Sequence, residues 1–441
     1  MNDNDKLSKL MQLEKKVLAK ALVDLSAKHS GVTKAIDRLI SDKSTNIRRF
    51  ISRLSTYKTE GEFLRWNETS EFAEELEDLL SDLEEGASSP REAIELLKMF
   101  FESDHEMIHR CDDSSGHVAN VFRYRATELF VKNATECDDK DWLADIFWDL
   151  ITHNDYGFRD ELTDKVGQFL PERNMREIVE KLWGLSHEVI LLEAMAKGLK
   201  DPVLFEKIIR EGRGKNPDYD NGRLGEMYFL CGDFKKAISF LEKVDKTSGS
   251  YWKVDDLLLK AYAEVGDVDK QKEMAWEIFR SHRTKENFET VVDIEGDSLR
   301  QELLKREVEN IFEDKELKRQ NVDFLLEMEL VNEAEIYIIS RKRDLNGSQY
   351  GSLVDWAEMF DLQNKAFVSS LIYRALLDSI LESANSKAYH HGVDYLVKLD
   401  EYADQIQDWR GVQTHTSYFE SLKNYHKRKH GFWSQYKTRS K

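Results

Sequence analysis

The chain has 441 residues, of which 84 are acidic and 65 basic, so its formal charge is −19. This charge argues against a general nucleic-acid binder, because phosphate backbones favour clustered Lys and Arg. Only 21 residues are Gly and 4 are Pro, well below the share in an average globular protein. Because sheets and tight turns use both residue types, this composition predicts an all-α fold. The 41% hydrophobic residues exclude wholesale disorder.

The residues that bear on the cellular compartment indicate a cytoplasmic protein. The first ten residues include acids and have no apolar core, so they do not form a secretory signal. No apolar run approaches the ~20 residues that span a bilayer, and we expect no membrane contact. Cys111, Cys137 and Cys231 are odd in number and far apart. Their spacing indicates neither a disulfide framework nor a cysteine zinc site.

Helix signals begin at the N-terminus of the chain. Apolar residues from Leu7 to Leu25 recur at steps of three and four, which predicts a long helix with a core-facing stripe. Asn67 and Gly86 are placed to begin and end another helix. Ser89-Pro90 has the cap and first-turn residues of the next helix. Further helices are predicted over residues 118–130, 141–150, 160–170, 322–330, 333–340, 353–362 and 365–381.

Three stretches concentrate charge of one sign. Residues 34–58 hold seven bases against two acids, residues 67–90 hold nine acids and no base, and residues 423–441 hold seven bases and no acid. The simplest interpretation is that each is the solvated face of an amphipathic helix. The alternative interpretation is a surface that binds a partner of opposite charge.

Residues 219–282 contain a repeat with a period of 34 residues. Leu224, Tyr228 and Gly232 are each followed by the same residue type 34 positions later. A period of this length with Leu-Gly-x-x-Tyr and a central glycine resembles the tetratricopeptide repeat. The small Ala237 of the first copy is replaced by Gln271 in the second, so the second match is partial.

The repeat predicts an α–α superhelix, a tetratricopeptide-like solenoid of antiparallel helix pairs in which each pair packs on its neighbours. We predict an N-terminal helical segment over residues 1–61 and the solenoid over 62–385, clearest at 219–282. Residues 386–441 are predicted to form a C-terminal helical cap with a basic aromatic tail.

Several short groups of residues, spread over most of the chain, carry a further resemblance: Asp112-Asp113-Ser114-Ser115-Gly116, Asp155-Tyr156-Gly157-Phe158-Arg159-Asp160, Tyr373-Arg374-Ala375-Leu376-Leu377, Ser386-Lys387-Ala388-Tyr389-x-His391, Tyr395-Leu396, Leu399, Asp408-Trp409, His415, Tyr418, Leu422, His426-x-Arg428-Lys429 and Phe432-Trp433. On these residues, the chain from about Trp66 to Trp433 resembles a family of bacterial α-helical proteins of unknown function. That family's helical region also resembles one that is joined to SWIM zinc fingers. The resemblance implies a tetratricopeptide-like superhelix and no established activity. The SWIM finger's cysteine–histidine pattern is absent, so no zinc or DNA-binding role is carried over.

Two motifs have side chains suited to holding a cation. The Asp112-Asp113 turn is rich in oxygens, but it lacks the alternating acids of a calcium loop, and Asp and Ser in such a turn more often cap the next helix. His426 and His430 are four residues apart, as in a two-histidine metal pair. Three cations lie between them and oppose a metal. We therefore predict no metal and no cofactor.

No motif with a nucleophile and a base is present, so we predict that the chain is not an enzyme. A hydrolase assembled from distant residues is the remaining alternative, because triads are spatial arrangements.

The candidate contact residues are His426, Lys427, Arg428, Lys429 and Trp433, where cations and aromatic rings alternate. Such a surface binds phosphates and bases or an acidic partner; alternatively, the aromatic rings close the end of the solenoid while the cations stay in water. The predicted function is a non-catalytic cytoplasmic scaffold that binds a protein or peptide through a helical-repeat groove. The alternative is a nucleic-acid-associated protein that uses the basic tail.

Overall fold

A computed structural model of the protein describes residues 3–59, 62–185, 189–212, 216–249 and 251–439. Helices joined by turns make up this part of the chain, and no β-strand occurs in it; a single isolated bridge pairs Leu64 with Cys111. The predicted all-α fold is therefore confirmed. None of the helices within these residues is both long enough and apolar enough to cross a membrane.

The chain divides into two compact units, Met1–Tyr251 and Trp252–Lys441. This division falls inside the predicted solenoid segment 62–385. The three predicted segments and their boundaries stay a prediction.

The first unit has one hydrophobic core that runs from Phe50 to Met227. Its helices are α1 (Asp3–Leu10), α2 (Lys15–Ser26), α3 (Ser30–Ile40), α4 (Lys43–Thr59), α5 (Thr69–Gly86), α6 (Pro90–Phe101), α7 (Asp104–His109), α8 (His117–Asn120), α9 (Thr127–Glu136), α10 (Lys140–Thr152), α11 (Asp160–Asp164), α12 (Glu172–Trp183), α13 (Val189–Gly198), α14 (Pro202–Glu211), α15 (Pro217–Leu230) and α16 (Phe234–Leu241).

The second unit has its own core, from Ala275 to Phe432. Its helices are α17 (Val254–Val265), α18 (Val268–Ser281), α19 (Lys285–Glu295), α20 (Arg300–Glu313), α21 (Arg319–Glu327), α22 (Val331–Ser340), α23 (Tyr350–Leu362), α24 (Ala366–Glu382), α25 (Tyr389–Ala403), α26 (His415–Tyr425) and α27 (His430–Arg439). Consecutive helices pack on one another in both units, as α15 does on α16 and α24 on α23 and α25.

The joint between the helices of the predicted repeat is built from local sequence. Gly232 has a left-handed φ of 79°, which glycine adopts without strain. The N–H of Asp233 donates to the carbonyl of Tyr228 at 3.0 Å, and its carboxylate accepts the N–H of Lys236 at 3.2 Å. All of these features recur 34 residues later around Gly266, with a φ of 72° and the same two distances. The 34-residue period is therefore structural.

The N-terminal stripe is the clearest wrong prediction. The apolar run lies on two helices, α1 and α2, because the chain is extended at Glu14 (φ −62°, ψ 135°). No residue of α2 is buried. The periodicity identified helical structure but neither the break at Glu14 nor the exposure of α2, which packs on α3 and still has no buried residue.

Other helix ends differ from the sequence signals in detail. Asn67 is not the cap of α5, which begins at Thr69 after Glu68. Gly86 is the last residue of α5 and not, as predicted, the glycine just after it; packing requires a glycine there, because a Cβ would lie 2.8 Å from Ile47 of α4. Ser89 caps α6 as predicted by accepting the N–H of Glu92 at 3.2 Å.

The helix predicted over 118–130 is interrupted by a π-helical turn, Val121–Ala126, between α8 and α9. The helix predicted over 160–170 is short, and after α11 the chain continues as the 3₁₀ turn Val166–Gln168.

Candidate functional site

The predicted contact residues lie where α26 ends and α27 begins. Phe432 is fully buried, and its ring centroid lies 5.0 Å from that of Trp433. The indole N–H of Trp433 donates to the carbonyl of His426 at 2.9 Å. Trp433 also lies edge-on to Phe419 at 6.0 Å. These contacts hold the indole in the packing of the cap, where Trp433 is half-buried.

The cations of the same segment remain at the surface. Lys427 and Arg428 are exposed and Lys429 is half-buried. Within the described residues, none of these three side chains forms an ion pair. The pKa of His426 is lowered, mainly by burial and further by Lys429. The structure thus brings four of the five predicted residues together as a positive surface turn and places Trp433 behind it.

The Asp112-Asp113 turn caps a helix. The two carboxylate oxygens of Asp113 accept the N–H groups of Val118 and Ala119 at 3.0 and 2.8 Å. Asp112 accepts the N–H of Ser114 at 3.3 Å. Both oxygens of Asp113 are therefore used by the start of α8, as the capping interpretation requires.

The first basic stretch and the acidic stretch bind each other. Asp82 of α5 is 1% exposed and receives Arg38, Arg49 and Arg53 at 3.0, 3.3 and 3.1 Å. Arg53 also reaches Asp78 at 2.9 Å. The interpretation of these stretches as solvated faces is wrong at these positions, because the charged side of α3 and α4 packs against α5.

Several residues behind the family resemblance form buried polar contacts. Arg374 is 6% exposed, and its guanidinium lies between the rings of Trp409 and Tyr418, 4.6 and 4.5 Å from their centroids. It donates to the carbonyl of Gln413 at 2.7 Å. Burial lowers the pKa of Arg374 to about 10. These contacts join α24 to the chain before and within α26, which gives the matched residues a structural role.

One histidine-containing pattern was not identified in the sequence analysis. His105, Glu106 and His109 form the pattern His-Glu-x-x-His on α7, and the rings of the two histidines lie 4.3 Å apart. The Tyr156 oxygen lies 2.6 Å from Nε2 of His109. The residue order alone could have revealed the pattern; its contact with Tyr156 could not be read from the sequence.

These histidines border an open cleft of about 400 Å³. A buried ion pair lies nearby, in which Arg159 reaches Asp104 at 2.8 Å. Arg159 also donates to the carbonyls of Leu150 and Phe101 at 2.9 and 2.8 Å. Two exposed imidazoles therefore border the cleft, and a buried, hydrogen-bonded ion pair lies near them.

The fold and these sites define an all-α protein of packed consecutive helices. The chain belongs to a family described as a family of unknown function (DUF6880), whose model matches residues 4–203 and 229–435. The expected membership of a family without an established function is thereby confirmed. Its bacterial origin and its relation to SWIM zinc fingers stay predictions.

Comparison with other proteins adds little beyond the family. No curated protein matches the chain. It is similar to a solved structure described as a "circular tandem repeat protein with novel repeat topology and enhanced subunit contact surfaces". The identity is 14%, the match covers 96% of this chain and 98% of the other, and the TM-score is 0.15. At that TM-score, the likeness carries no argument for this chain.

Proposed function

We propose that the chain is a non-catalytic scaffold of bacterial cytoplasm that binds a protein partner. The observation that carries this proposal is the uncovered apolar surface of α2 and α3, which pack on each other. Exposed apolar groups of this kind favour a protein interface. The N-terminal apolar residues, as we call them, are Val17, Leu22, Leu25, Leu39 and Ile40.

The packing of α3 explains why Leu39 and Ile40 are exposed, whereas Val32 and Ile36 of the same helix are half-buried. Its charged side is held against α5, where Arg38 binds Asp82. Leu39 and Ile40 are consequently left in solvent, and Ile40 is 77% exposed. An amphipathic helix normally buries its apolar side. A partner that covers Leu39 and Ile40 would restore the usual burial of these apolar side chains.

The charges around the N-terminal apolar residues indicate the chemistry of the partner. Lys15, Lys16 and Lys20 of α2 make no ion pair within the described residues. An acidic amphipathic helix would complement both the lysines and the leucines. We therefore propose a protein segment of that kind as the partner. The repeat groove expected from the sequence stays a second surface for the same function.

A comparison of three full-length baits tests this proposal. The first is the wild type, the second is Leu22→Glu/Ile40→Glu, and the matched control is Leu362→Glu, another strongly exposed apolar position. We expect the wild type and the control to recover the same acidic partner from cells, with its crosslinks on α2, and the double variant to lose it more than about tenfold.

Equal recovery by all three baits, or crosslinks confined to other helices, would contradict the proposed surface. Light scattering supplies a further outcome: a dimeric wild type with a monomeric double variant would replace the acidic partner by a second copy of the chain.

A second candidate function, nucleic-acid association, is favoured by the unpaired cations at the start of α27. A gel shift at low salt with single-stranded DNA tests it, comparing wild type with Arg428→Glu/Lys429→Glu. The matched control is Lys305→Glu/Arg343→Glu, which reverses two exposed cations elsewhere. Loss of binding in the tail variant alone, with steep weakening by salt, supports this function. No shift of the wild type at low salt removes it.

A further inference from the structure

The cleft beside α7 contains a metal-binding sequence pattern in helical geometry. His105 and His109 are four residues apart, so their side chains lie on one face of the helix. Their ring centroids are 4.3 Å apart, and both side chains are exposed. Two imidazoles placed this way on a His-Glu-x-x-His helix are suited to bind one zinc-type ion.

A third donor comes from a distant part of the chain. The phenol oxygen of Tyr156 lies 2.6 Å from Nε2 of His109, and its ring centroid lies 5.8 Å from that of His105. At this distance, a single proton joins the phenol oxygen and the imidazole nitrogen in a hydrogen bond. In a tetrahedral site with bonds of about 2.0 Å, donor atoms are about 3.3 Å apart. An opening of less than about 1 Å therefore lets a metal take the place of that proton.

We propose that His105, His109 and Tyr156 bind a divalent zinc-type metal whose remaining position is filled by water. No group of three or more His, Cys, Asp or Glu side chains suited to a metal occurs in the residues that the structure describes. The phenol oxygen is therefore the protein's third donor in this site. Two imidazoles and one oxygen leave the site open on the side of the cleft, as in zinc sites that keep an exchangeable water.

The charged groups that line the cleft are one acid, Glu106, and two bases, Lys58 and Arg110. The Oε2 atom of Glu106 is buried and has no hydrogen-bond partner among the described residues. This carboxylate therefore adds negative charge beside the two histidines. Lys58 lies 3.6 Å from the other oxygen of Glu106, and Arg110 donates to the carbonyl of Tyr57 at 3.0 Å. Lys58 is thus paired with Glu106, whereas Arg110 keeps a buried Nε atom without an acceptor in the part of the chain that the structure describes.

The buried ion pair beneath the cleft fixes the three donors relative to each other. Asp104 directly precedes His105, and Arg159 follows Tyr156 by three residues. The Nε atom and one terminal nitrogen of Arg159 both donate to Oδ2 of Asp104, at 3.1 and 2.8 Å, which ties the start of α7 to the loop that bears the phenol. A site held by such support loses little conformational freedom on binding.

Cobalt(II) titration of the tag-free full chain tests the site, since a tetrahedral cobalt complex has visible absorption bands and a His tag would compete. We expect one equivalent to bind with these bands, and zinc(II) to displace it. His105→Ala and His109→Ala should each weaken binding more than about 100-fold, and Tyr156→Phe about tenfold. Lys58→Ala should strengthen it, because it removes a cation from the cleft.

The matched control is His390→Ala/His391→Ala, which removes another close histidine pair, with ring centroids 3.9 Å apart. This control should bind cobalt like the wild type. Absence of visible bands in the wild type, or binding unchanged in both His105→Ala and His109→Ala, would overturn the site. Unchanged binding in Tyr156→Phe would overturn the role of the phenol. Far-UV circular dichroism verifies that each variant is folded.

Discussion

The basic stretch at residues 34–58 and the basic tail at residues 423–441 carry seven Lys and Arg residues each. In the first, Arg38 and Arg53 are bound by Asp82. Phe50 and Leu54 of α4 are buried there, and Leu39 and Ile40 at the end of α3 are left exposed. In the second, Phe432 is buried with its aromatic neighbours, and Arg428 is left outside. Two stretches with the same number of bases therefore place them differently, against an acidic helix in the first and at the surface in the second. What decides the outcome is the element that each helix packs against, acidic α5 or aromatic α25 and α26.

The largest expected effect is on the buried aromatic side chain of the tail. Phe432→Ala removes a fully buried ring that lies 5.8 Å from the ring of Tyr389. We expect the free energy of unfolding of the second unit to fall by about 3 to 5 kcal/mol. Urea denaturation followed by tryptophan fluorescence measures it. Lys427→Glu/Arg428→Glu is the control, with a change within about 0.5 kcal/mol. Similar losses of unfolding free energy in both variants would contradict the contrast between the buried ring and the exposed cations of the tail.

The second-largest expected effect is a loss of stability when Asp82, which binds the first basic stretch, is replaced. Asp82→Ala leaves the guanidinium groups of Arg38, Arg49 and Arg53 without their shared acceptor. Because these arginines are partly solvated, we expect a loss of about 2 to 3 kcal/mol rather than the full cost of a buried unpaired charge. Limited proteolysis should then cleave α3 and α4 earlier than in wild type.

The matched control for Asp82→Ala is Asp297→Ala, which breaks an ion pair with Arg300 whose acid is 85% exposed. Its effect should stay within about 0.5 kcal/mol. If Asp82→Ala cost no more than this control, the inward orientation of the charged side of α3 would be wrong.

A third prediction concerns the apolar residues of the N-terminal end. Leu22→Glu/Leu25→Glu should change the free energy of unfolding by no more than about 0.5 kcal/mol, since both side chains are exposed. Chemical denaturation of the isolated full chain measures this. A loss of several kcal/mol would instead place these leucines in a core, as the periodic stripe alone suggested.

The smallest effect is on the pH dependence of the tail. Because burial and Lys429 lower the pKa of His426, the unfolded chain takes up this proton at a higher pH than the folded chain. Stability should therefore fall as the pH decreases from the ordinary imidazole range through the lowered pKa. His426→Gln should reduce the fall in melting temperature between pH 7.5 and 5.5. Asn424→Ala, an exposed neighbour without a titratable group, should keep the wild-type fall.

Local signals in the sequence predicted much of the fold. The helix class, the 34-residue joints and the Ser89 cap all depend on residues close in the chain, and the structure agrees with them. Which face of a helix is buried was not predictable in the same way. The leucines of α2 have the spacing of a core helix, but burial requires a partner element. Similarly, the pairing of Asp82 with Arg38 joins residues 44 positions apart.

The candidate sites show the same limit. The clustering of His426 to Lys429 was predicted, since four consecutive residues on one turn stay together in any fold. The inward packing of Trp433 was one of two interpretations and could be decided only by the neighbours of its ring. The pair of His105 and His109 could be recognised from the sequence pattern, whereas the approach of Tyr156 depends on the tertiary contact between Asp104 and Arg159.

The joints at Gly232 and Gly266 have a consequence for the order in which the chain folds. Each joint closes through hydrogen bonds between residues at most five positions apart, from Tyr228 to Asp233 in the first copy. Contacts of such short sequence separation form fastest, because little chain entropy is lost. We expect these two corners to be among the earliest structures after synthesis, visible as early amide protection in pulsed hydrogen exchange, while the distant charge pairs around Asp82 are protected later.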